Sequence, residues 1–349
     1  MTIIEAQREI AKILKEGGVE NAMNEARFLL QDALGCDSVQ LVTGYRDYAC
    51  TSCVETAFDW AKRRAAGEPM QYILGHTDFM GLDIRVAPGV LIPRPETEGL
   101  CELLANEAKV RKAADPASRW PARILDLCTG SGCIAAWAAS AFGDAKIVAA
   151  DLSEEALAIA AENCRNSRIE LRQGDLFGAV GDGLRFDAIL SNPPYIPSKT
   201  VDGLDAEVKD FEPWLALDGG PEGMDLVARI IREAPEYLMP GGLLLMEIDD
   251  TQEELVRSAC EESGRYASFA VLRDLAGKIR YLKADIQAQV LVHLCRCRLC
   301  RRPSPPVLHP SQQARSMERT AHDRPLAGIL RGIQDLLQTL VSGGHLQGE

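Results

Sequence analysis

Residues 124–132 read ILDLCTGSG, and the prediction of the fold class starts from these residues. An apolar strand pattern over 124–127 leads into a turn with Gly130 and Gly132, and a helical pattern begins at Cys133. Glycines let the backbone approach a ligand closely, and the first turn of a helix leaves N–H groups without partners. The stretch therefore predicts a strand, a binding loop and a helix in succession.

Strands and helices alternate from residue 123 onward. The predicted strands cover 124–127, 147–150, 169–172, 188–190, 243–247, 269–272 and 281–284. The predicted helices between the early strands cover 133–142, 154–164 and 224–238. This alternation predicts an α/β domain with a mainly parallel sheet and helices on both faces, in which ligands bind outside the carboxyl ends of the strands.

The first hundred residues follow other patterns. Apolar spacing predicts two helices within 2–33, interrupted by Gly17-Gly18, and a third helix over 53–64. Alternating apolar residues between 71 and 92 predict a β-hairpin, and a helix follows from Glu96 to about residue 110. The expected divisions are a helical domain over 1–70, a hairpin linker over 71–95 and an α/β domain over 96–286.

Composition and charge exclude several classes of protein. The chain has 349 residues, 46% of them hydrophobic, which is too long for one small domain and too apolar for disorder throughout. Residues 1–286 hold 47 acidic against 30 basic side chains. Because a nucleic-acid-binding surface is basic, we expect no direct nucleic-acid binding. The chain has no long apolar run and no apolar signal core at its start, so we expect a cytoplasmic protein without a membrane span.

The composition changes at residue 287. The segment 287–349 has 8 Arg, no Lys, no aromatic residue and 4 of the 5 His. We expect it to be dispensable for catalysis, with one amphipathic helix over 326–341 and little structure before that helix. Its cysteines at 295–300 are crowded and lack a second Cys-x2-Cys pair, so we expect no metal site.

Two features beside the glycine turn suit a nucleoside. Asp151 ends the second predicted strand, where a carboxylate can accept hydrogen bonds from a ribose diol. Leu176 follows the third strand and would flank an adenine at the same edge. The Gly-x-Gly-x-x-Gly pattern of dinucleotide-binding loops fails, because Ala135 stands at the third glycine. An ordinary strand-to-helix turn with a chance acid is the alternative interpretation.

Residues 191–195 read SNPPY and follow the predicted strand 188–190. Prolines have no N–H, so the turn offers hydrogen-bond acceptors: the side-chain oxygen of Asn192 and the carbonyl of Pro193. Tyr195 adds a flat face for stacking. The loop thus favours a planar group that carries an NH2, such as a carboxamide or an aminopurine. A proline-rich turn with a chance tyrosine is the alternative.

Together these motifs resemble the class I S-adenosylmethionine-dependent methyltransferases that methylate amino groups. The stretch GEPMQYILGHTDFMGLDIRVAPGVLIPRPETE at 67–98 resembles the segment that joins the two domains of the release-factor glutamine methyltransferases. Shorter stretches resemble the same family: NEARFLLQDALG at 24–35, FEP at 211–213, DGGPEG at 218–223 and DLAG at 274–277. The resemblance covers about residues 3–286, and the combination of IPRPETE with NPPY is its most specific part.

The resemblance implies a Rossmann-like class I methyltransferase domain with a mainly parallel, seven-stranded sheet, joined by a β-hairpin to a small N-terminal helical domain that docks the substrate protein. It implies S-adenosylmethionine as cofactor and class I peptide-chain release factors as partners, methylated on the glutamine amide of their Gly-Gly-Gln loop. The implied cofactor-binding residues are Cys128, Thr129, Gly130, Ser131, Gly132, Asp151, Leu176 and Asn192. The implied catalytic residues are Asn192, Pro193 and Tyr195, and the implied substrate-binding residues are Asn192, Pro193, Pro194 and Tyr195.

One residue departs from the family pattern, since Cys128 stands where the first glycine of the loop is usual. The sister enzymes that methylate a glutamine of ribosomal protein uL3 resemble the chain in this cysteine and stay as the alternative. A DNA methyltransferase that modifies a base amino group is a further alternative, because it can share NPPY. An inactive scaffold is disfavoured, because the acceptor loop and the ribose-binding acid are both present. For Arg94, Glu96 and Glu98, bracing of the pocket and an ordinary helix start both stay open.

Overall fold

The computed structural model describes residues 1–165 and 169–287 of the chain. Our predictions for the segment beyond residue 287 lie outside these residues. Among the helices within the described ranges, none is long and apolar enough to cross a bilayer. The division of the chain at residues 70, 95 and 286 stays a prediction.

The N-terminal segment is helical. Its helices are α1 Ile3–Glu16, α2 Ala22–Leu34, α3 Ser38–Thr43, α4 Thr51–Ala65 and α5 Met70–Leu74. The side chain of Thr2 accepts the Glu5 N–H, and the Glu5 carboxylate accepts the Thr2 N–H, which together start α1. Leu14, Leu30 and Ala57 are fully buried in one apolar cluster that joins α1, α2 and α4.

The structure corrects two predictions in this part of the chain. Helix α3 was not predicted, and α5 occupies residues 71–74, where the hairpin was expected to begin. A five-residue helix that follows Pro69 and ends at the left-handed Gly75 is too short to show a helical period. The hairpin itself pairs β1, His76–Phe79, antiparallel with β2, Leu82–Arg85. Helix α6, Pro95–Ala114, follows it.

The rest of the described chain forms the predicted α/β domain. Its strands are β3 Arg123–Leu127, β4 Lys146–Asp151, β5 Ile169–Gln173, β6 Phe186–Ser191, β7 Leu238–Glu247, β8 Tyr266–Arg273 and β9 Ile279–Ile286. Its helices are α7 Cys133–Ala141, α8 Glu154–Asn163, α9 Ser198–Val201, α10 Ala206–Lys209, α11 Asp225–Tyr237 and α12 Glu253–Ser263. The strand order is β5-β4-β3-β6-β7-β9-β8, and β9 runs antiparallel to the other six strands of this sheet. The prediction of a mainly parallel seven-stranded sheet is confirmed.

The strand order determines where the loops meet. Strand β3 lies between β4 and β6, with Leu127 level with Ala150 and Ser191. These three parallel strands end at one edge of the sheet, so the loops that follow them converge there. The neighbouring residues Ile124 and Leu125 are both fully buried, in apolar clusters on opposite faces of the sheet.

Candidate active site

A cavity of about 230 Å³ opens at the carboxyl edge of the sheet. Its lining includes eight residues predicted to bind cofactor or substrate: Cys128, Thr129, Gly130, Ser131, Asp151, Leu176, Asn192 and Pro194. Gly132, Pro193 and Tyr195 are neighbours of lining residues in the chain but do not belong to the lining. The fold therefore brings the glycine turn, the strand-end acid and the NPPY sequence to one cavity.

The glycine loop, residues 128–132, connects β3 to α7. Gly130 has a φ of 53°, and a Cβ added to it would meet no atom within 4 Å. Gly132 has a φ of 79°, but a Cβ there would lie 2.8 Å from the Sγ of Cys164 at the end of α8. Gly130 thus borders open space at the cavity, whereas Gly132 permits close packing between α7 and α8.

Cys128 has a left-handed backbone, with a φ of 58°. This conformation costs a residue with a Cβ roughly 1–2 kcal/mol, which explains why glycine suits the position in the family pattern. Burial, and after it the nearby Asp151 carboxylate, raise the pKa of the Cys128 thiol. Cys128 therefore has a strained backbone, and its thiol at the cavity wall is neutral.

Asp151 lies at the carboxyl end of β4. Its Oδ2 accepts the N–H of Gly130 at 2.8 Å, and its Oδ1 accepts the N–H of Ser153 at 2.9 Å. Burial raises the pKa of Asp151, although these backbone hydrogen bonds oppose the shift. Each carboxylate oxygen keeps a second lone pair, so Asp151 holds the glycine loop in place and can still accept hydrogen bonds from a ligand.

Asp175 and Leu176 line the cavity after β5. Leu176 is 5% exposed and begins a short 3-10 turn with a φ of 48°. The Asp175 carboxylate accepts two hydrogen bonds from the Arg229 guanidinium, at 2.9 and 3.1 Å. Leu176 therefore offers an apolar contact for a planar group, while the carboxylate of Asp175 is already paired.

The acceptor loop, residues 192–195, is held by a directed chain of hydrogen bonds. The Nδ2 of Asn192 donates to the Oγ1 of Thr97 at 3.0 Å, and this hydroxyl donates to Oε2 of Glu247 at 2.8 Å. Because the Thr97 proton is used on the carboxylate, its oxygen can only accept from Asn192. The amide of Asn192, which lines the cavity, is thus oriented with its NH2 towards Thr97, and its Oδ1 accepts no hydrogen bond from the described residues.

Glu247 anchors both ends of the acceptor loop. It is 1% exposed at the end of β7, and its Oε1 accepts the phenolic O–H of Tyr195 at 2.7 Å. Burial raises the pKa of Glu247. The pKa of Tyr195 is held well above its usual value by burial and, after it, by the nearby Glu247 carboxylate. Tyr195 therefore stays protonated, and its hydroxyl is a donor committed to Glu247.

A second set of contacts fixes the backbone of the acceptor loop. The Nε2 of the buried Gln252 donates to the Tyr195 carbonyl at 2.9 Å. A Cβ on Gly223 would overlap that same carbonyl, and the Gly219 N–H donates to the Ile196 carbonyl at 2.9 Å. The DGGPEG stretch quoted from the sequence therefore packs directly against the acceptor loop.

Arg94, Glu96 and Glu98 lie at the start of α6, with both acids in its first turn as in an ordinary helix start, and each of the three also contacts another segment. Arg94 forms an ion pair with the buried Glu212 of the FEP stretch. The carbonyl of Glu96 accepts the Tyr281 hydroxyl at 2.6 Å. An Oε1 of Glu98 accepts a backbone N–H of the hairpin at 2.6 Å, so all three residues tie the start of α6 to other segments.

Sequence reasoning missed the three residues that orient the acceptor loop. Thr97 lies between Glu96 and Glu98 inside IPRPETE, so the motif itself was the available signal. The sequence pattern places Glu247 only in a strand and gives no signal for Gln252. Their contacts join positions that are far apart in the chain, and a local sequence pattern does not predict such contacts.

The charge around the cavity suits a cationic nucleoside. Asp151, Glu155 and Asp175 belong to the lining, and none of the described lining residues is Lys or Arg. The open surface at Gly130 gives backbone access, and the free lone pairs of Asp151 can receive two hydroxyl groups. These features fit S-adenosylmethionine, which joins an adenosine to a positively charged sulfonium.

Comparison with known proteins agrees with the fold. Residues 5–75 match a family model described as the PrmC N-terminal domain, and residues 112–206 match the methyltransferase small domain. The release factor glutamine methyltransferase of Koribacter versatilis is 40% identical over 280 residues, which cover 79% of this chain and 96% of that protein. The enzyme of the same name from Moorella thermoacetica is 39% identical, covering 80% and 97% respectively. That from Geobacter sulfurreducens is 42% identical, covering 72% and 85%.

The sheet, the glycine loop and the acceptor loop define a class I methyltransferase that uses S-adenosylmethionine. The chain belongs to the release factor glutamine methyltransferase family. The resemblance found in the sequence is thereby confirmed.

Proposed function

We propose that this protein methylates the side-chain amide nitrogen of the glutamine in the Gly-Gly-Gln loop of a class I peptide-chain release factor, in the cytoplasm. The observation that carries the proposal is the orientation of Asn192, whose Nδ2 is taken by Thr97 so that Oδ1 is left to accept. An acceptor fixed in this way recognises an N–H donor, and a glutamine amide presents two N–H groups on one nitrogen.

An amide nitrogen is a poor nucleophile, because its lone pair is delocalised into the carbonyl. Bound S-adenosylmethionine supplies an electrophilic methyl group on a sulfonium. The Oδ1 of Asn192 and the carbonyl of Pro193 each accept one N–H of the substrate amide, which holds its nitrogen in line for attack. Both acceptors also stabilise the positive charge that develops on that nitrogen. Most of the rate gain then comes from positioning and from preorganised dipoles.

Proton removal needs no strong base within the acceptor loop. Tyr195 has a raised pKa and donates to Glu247, so it does not take the proton. The proton leaves late, to water or to a nearby acceptor. Tyr195 instead provides the flat face that, with Pro194, keeps the substrate amide in its plane.

The cofactor site is proposed around the glycine loop. The backbone of the glycine loop lies along the cofactor, and this loop comprises Cys128, Thr129, Gly130, Ser131 and Gly132. Asp151 accepts hydrogen bonds from the two ribose hydroxyls. Leu176 contacts the adenine. Asn192 borders both ligands, since it lines the cavity and also carries the free acceptor.

The test is a comparison of substrates. Purified class I release factor, ribosomal protein uL3 and DNA are each incubated with the full-length protein and S-adenosylmethionine carrying a labelled methyl group. We expect label only on the release factor, located by mass spectrometry on the loop glutamine. A release factor with that glutamine replaced by alanine is the matched control and should stay unlabelled.

Other outcomes would redirect the proposal. Faster labelling of uL3 would assign the chain to the ribosomal-protein alternative, and labelling of DNA would overturn the expectation that the protein does not act on nucleic acid. Isothermal calorimetry with the cofactor alone separates a failed substrate assignment from a protein that does not bind the cofactor.

A further inference from the structure

Cys50 and Cys53 differ from the other cysteines in the described residues. They form a Cys-x-x-Cys sequence at the start of α4, with Cys50 exposed and Cys53 half-buried. The others occur singly in the sequence, and burial raises their pKa: Cys36, Cys101, Cys128, Cys133, Cys164 and Cys260. Neither Cys50 nor Cys53 belongs to the cavity lining, so the proposed methyl transfer leaves them without a function.

The geometry at the start of α4 brings the two thiols together. Cys50 is the residue that precedes the first helical turn, and Cys53 is the third residue of that turn. The Cys50 Sγ lies 3.1 Å from the Ser52 hydroxyl, and the three-residue spacing places Cys50 and Cys53 on the same side of the helix start. Cys50 also stands where the partial positive charge of a 15-residue helix favours an anion.

These contacts favour a thiolate at Cys50. The Cys53 thiol, and after it the Ser52 hydroxyl, lower the pKa of Cys50 to about 7, while the pKa of Cys53 is raised by the same pairing. Such an arrangement gives an exposed attacking sulfur and a neighbouring sulfur that can resolve a mixed disulfide.

We propose that Cys50 and Cys53 form a redox-active dithiol that exchanges with low-molecular-weight disulfides. The Cys50 thiolate attacks one sulfur of the small disulfide, whose S–S bond breaks and releases one thiolate. Cys53 then loses its proton to water and attacks the Cys50 sulfur, which releases the second thiolate. One intramolecular disulfide and two small thiols result, so the small disulfide is reduced as the protein dithiol is oxidised.

The experiment uses the full-length protein and glutathione disulfide as probe. A tryptic peptide of residues 47–62 contains Cys50 and Cys53 and no other cysteine, and a peptide of 28–46 contains only Cys36. We expect the 47–62 peptide to lose the mass of two hydrogen atoms as the oxidised fraction of glutathione rises. The matched control is Cys36, a single half-buried thiol, which should gain at most a mixed disulfide.

Single variants identify the two sulfurs. Cys53→Ser should trap Cys50 as a stable mixed disulfide with glutathione, whereas Cys50→Ser should leave Cys53 largely unmodified. At pH 7, iodoacetamide should modify Cys50 at least about threefold faster than Cys36, because the larger thiolate fraction outweighs the lower intrinsic nucleophilicity. Cofactor affinity should be equal in the oxidised and reduced forms.

Two results would overturn the inference. One is a 47–62 peptide that stays in the dithiol form at glutathione ratios that modify Cys36. The other is equal trapping of glutathione by the two single variants, which would remove the distinction between attacking and resolving sulfur. Circular dichroism of each variant checks that the helices remain.

Discussion

The glycine loop and the acceptor loop follow neighbouring parallel strands, yet they are held in different ways. The glycine loop has left-handed residues at Cys128, Gly130 and Gly132. The side chains of Asp151 and Asn163 that bind this loop belong to the strand and the helix that come next in the α/β alternation. The acceptor loop has two prolines and is fixed by side chains from elsewhere: Asn192 to Thr97, and Tyr195 to Glu247.

This difference separates two kinds of defect. Changes in the glycine loop or at Asp151 should alter backbone strain and cofactor affinity, because those residues shape the cavity. Changes around the acceptor loop should alter the rate of transfer with less effect on cofactor affinity, because hydrogen bonds there orient the acceptors. The following variants test whether binding and rate separate in this way.

Asn192→Ala should have the largest effect. It removes the oriented acceptor, and loss of one preorganised hydrogen-bonding group lowers kcat by about 100- to 1,000-fold. Methyl transfer to purified release factor measures the loss, and calorimetry with S-adenosylmethionine should show a much smaller change in Kd. Near-normal turnover in this variant would contradict the assignment of Asn192.

Asp151→Ala should weaken cofactor binding by roughly 1–3 kcal/mol, the usual cost of losing hydrogen bonds to a charged group. Calorimetric Kd values measure the change. Asp175→Ala is the matched control, since Asp175 also lines the cavity but its carboxylate is paired with Arg229. An unchanged Kd in the first variant, or equal losses in both, would show that the ribose is bound elsewhere.

Thr97→Val should lower kcat by about tenfold, the equivalent of a hydrogen-bond loss of about 1–1.5 kcal/mol. Valine keeps the branched shape but cannot accept from Asn192 or donate to Glu247. Thr97→Ser keeps the hydroxyl and should retain most of the wild-type rate. Equal rates in the two variants would mean that Thr97 does not orient Asn192.

Cys128→Gly should have the smallest effect and the opposite sign. Glycine relieves the left-handed strain of about 1–2 kcal/mol but loses more conformational entropy on folding, so about 0.5–1 kcal/mol should remain as stabilisation. Cys128→Ala is the control, because it removes the thiol but keeps the Cβ. Urea unfolding without cofactor should give a larger free energy of unfolding for Cys128→Gly than for Cys128→Ala. The reverse order would show that the backbone at Cys128 is not strained.

Local sequence patterns were sufficient for the framework of the molecule. Alternating strands and helices predicted the seven strands of the sheet, because a buried parallel strand leaves a short apolar run and an amphipathic helix leaves an apolar period. The turn at Gly130 and the NPPY sequence directly follow strands, so their meeting at one edge also followed from the chain order. Short helices such as α5 were missed, since five residues are too few to show a period.

Local sequence patterns are thus sufficient for the sheet, for the positions of the two loops and for the residue types that serve as acceptors. The folded structure sets the direction in which Asn192 faces, because that direction depends on Thr97, 95 positions earlier, and on Glu247, which belongs to another strand. It also decided that Cys128 is strained, since the sign of φ is set by how the loop closes over Asp151. Local periods are properties of neighbouring residues, whereas the direction of a hydrogen bond depends on partners that folding alone brings together.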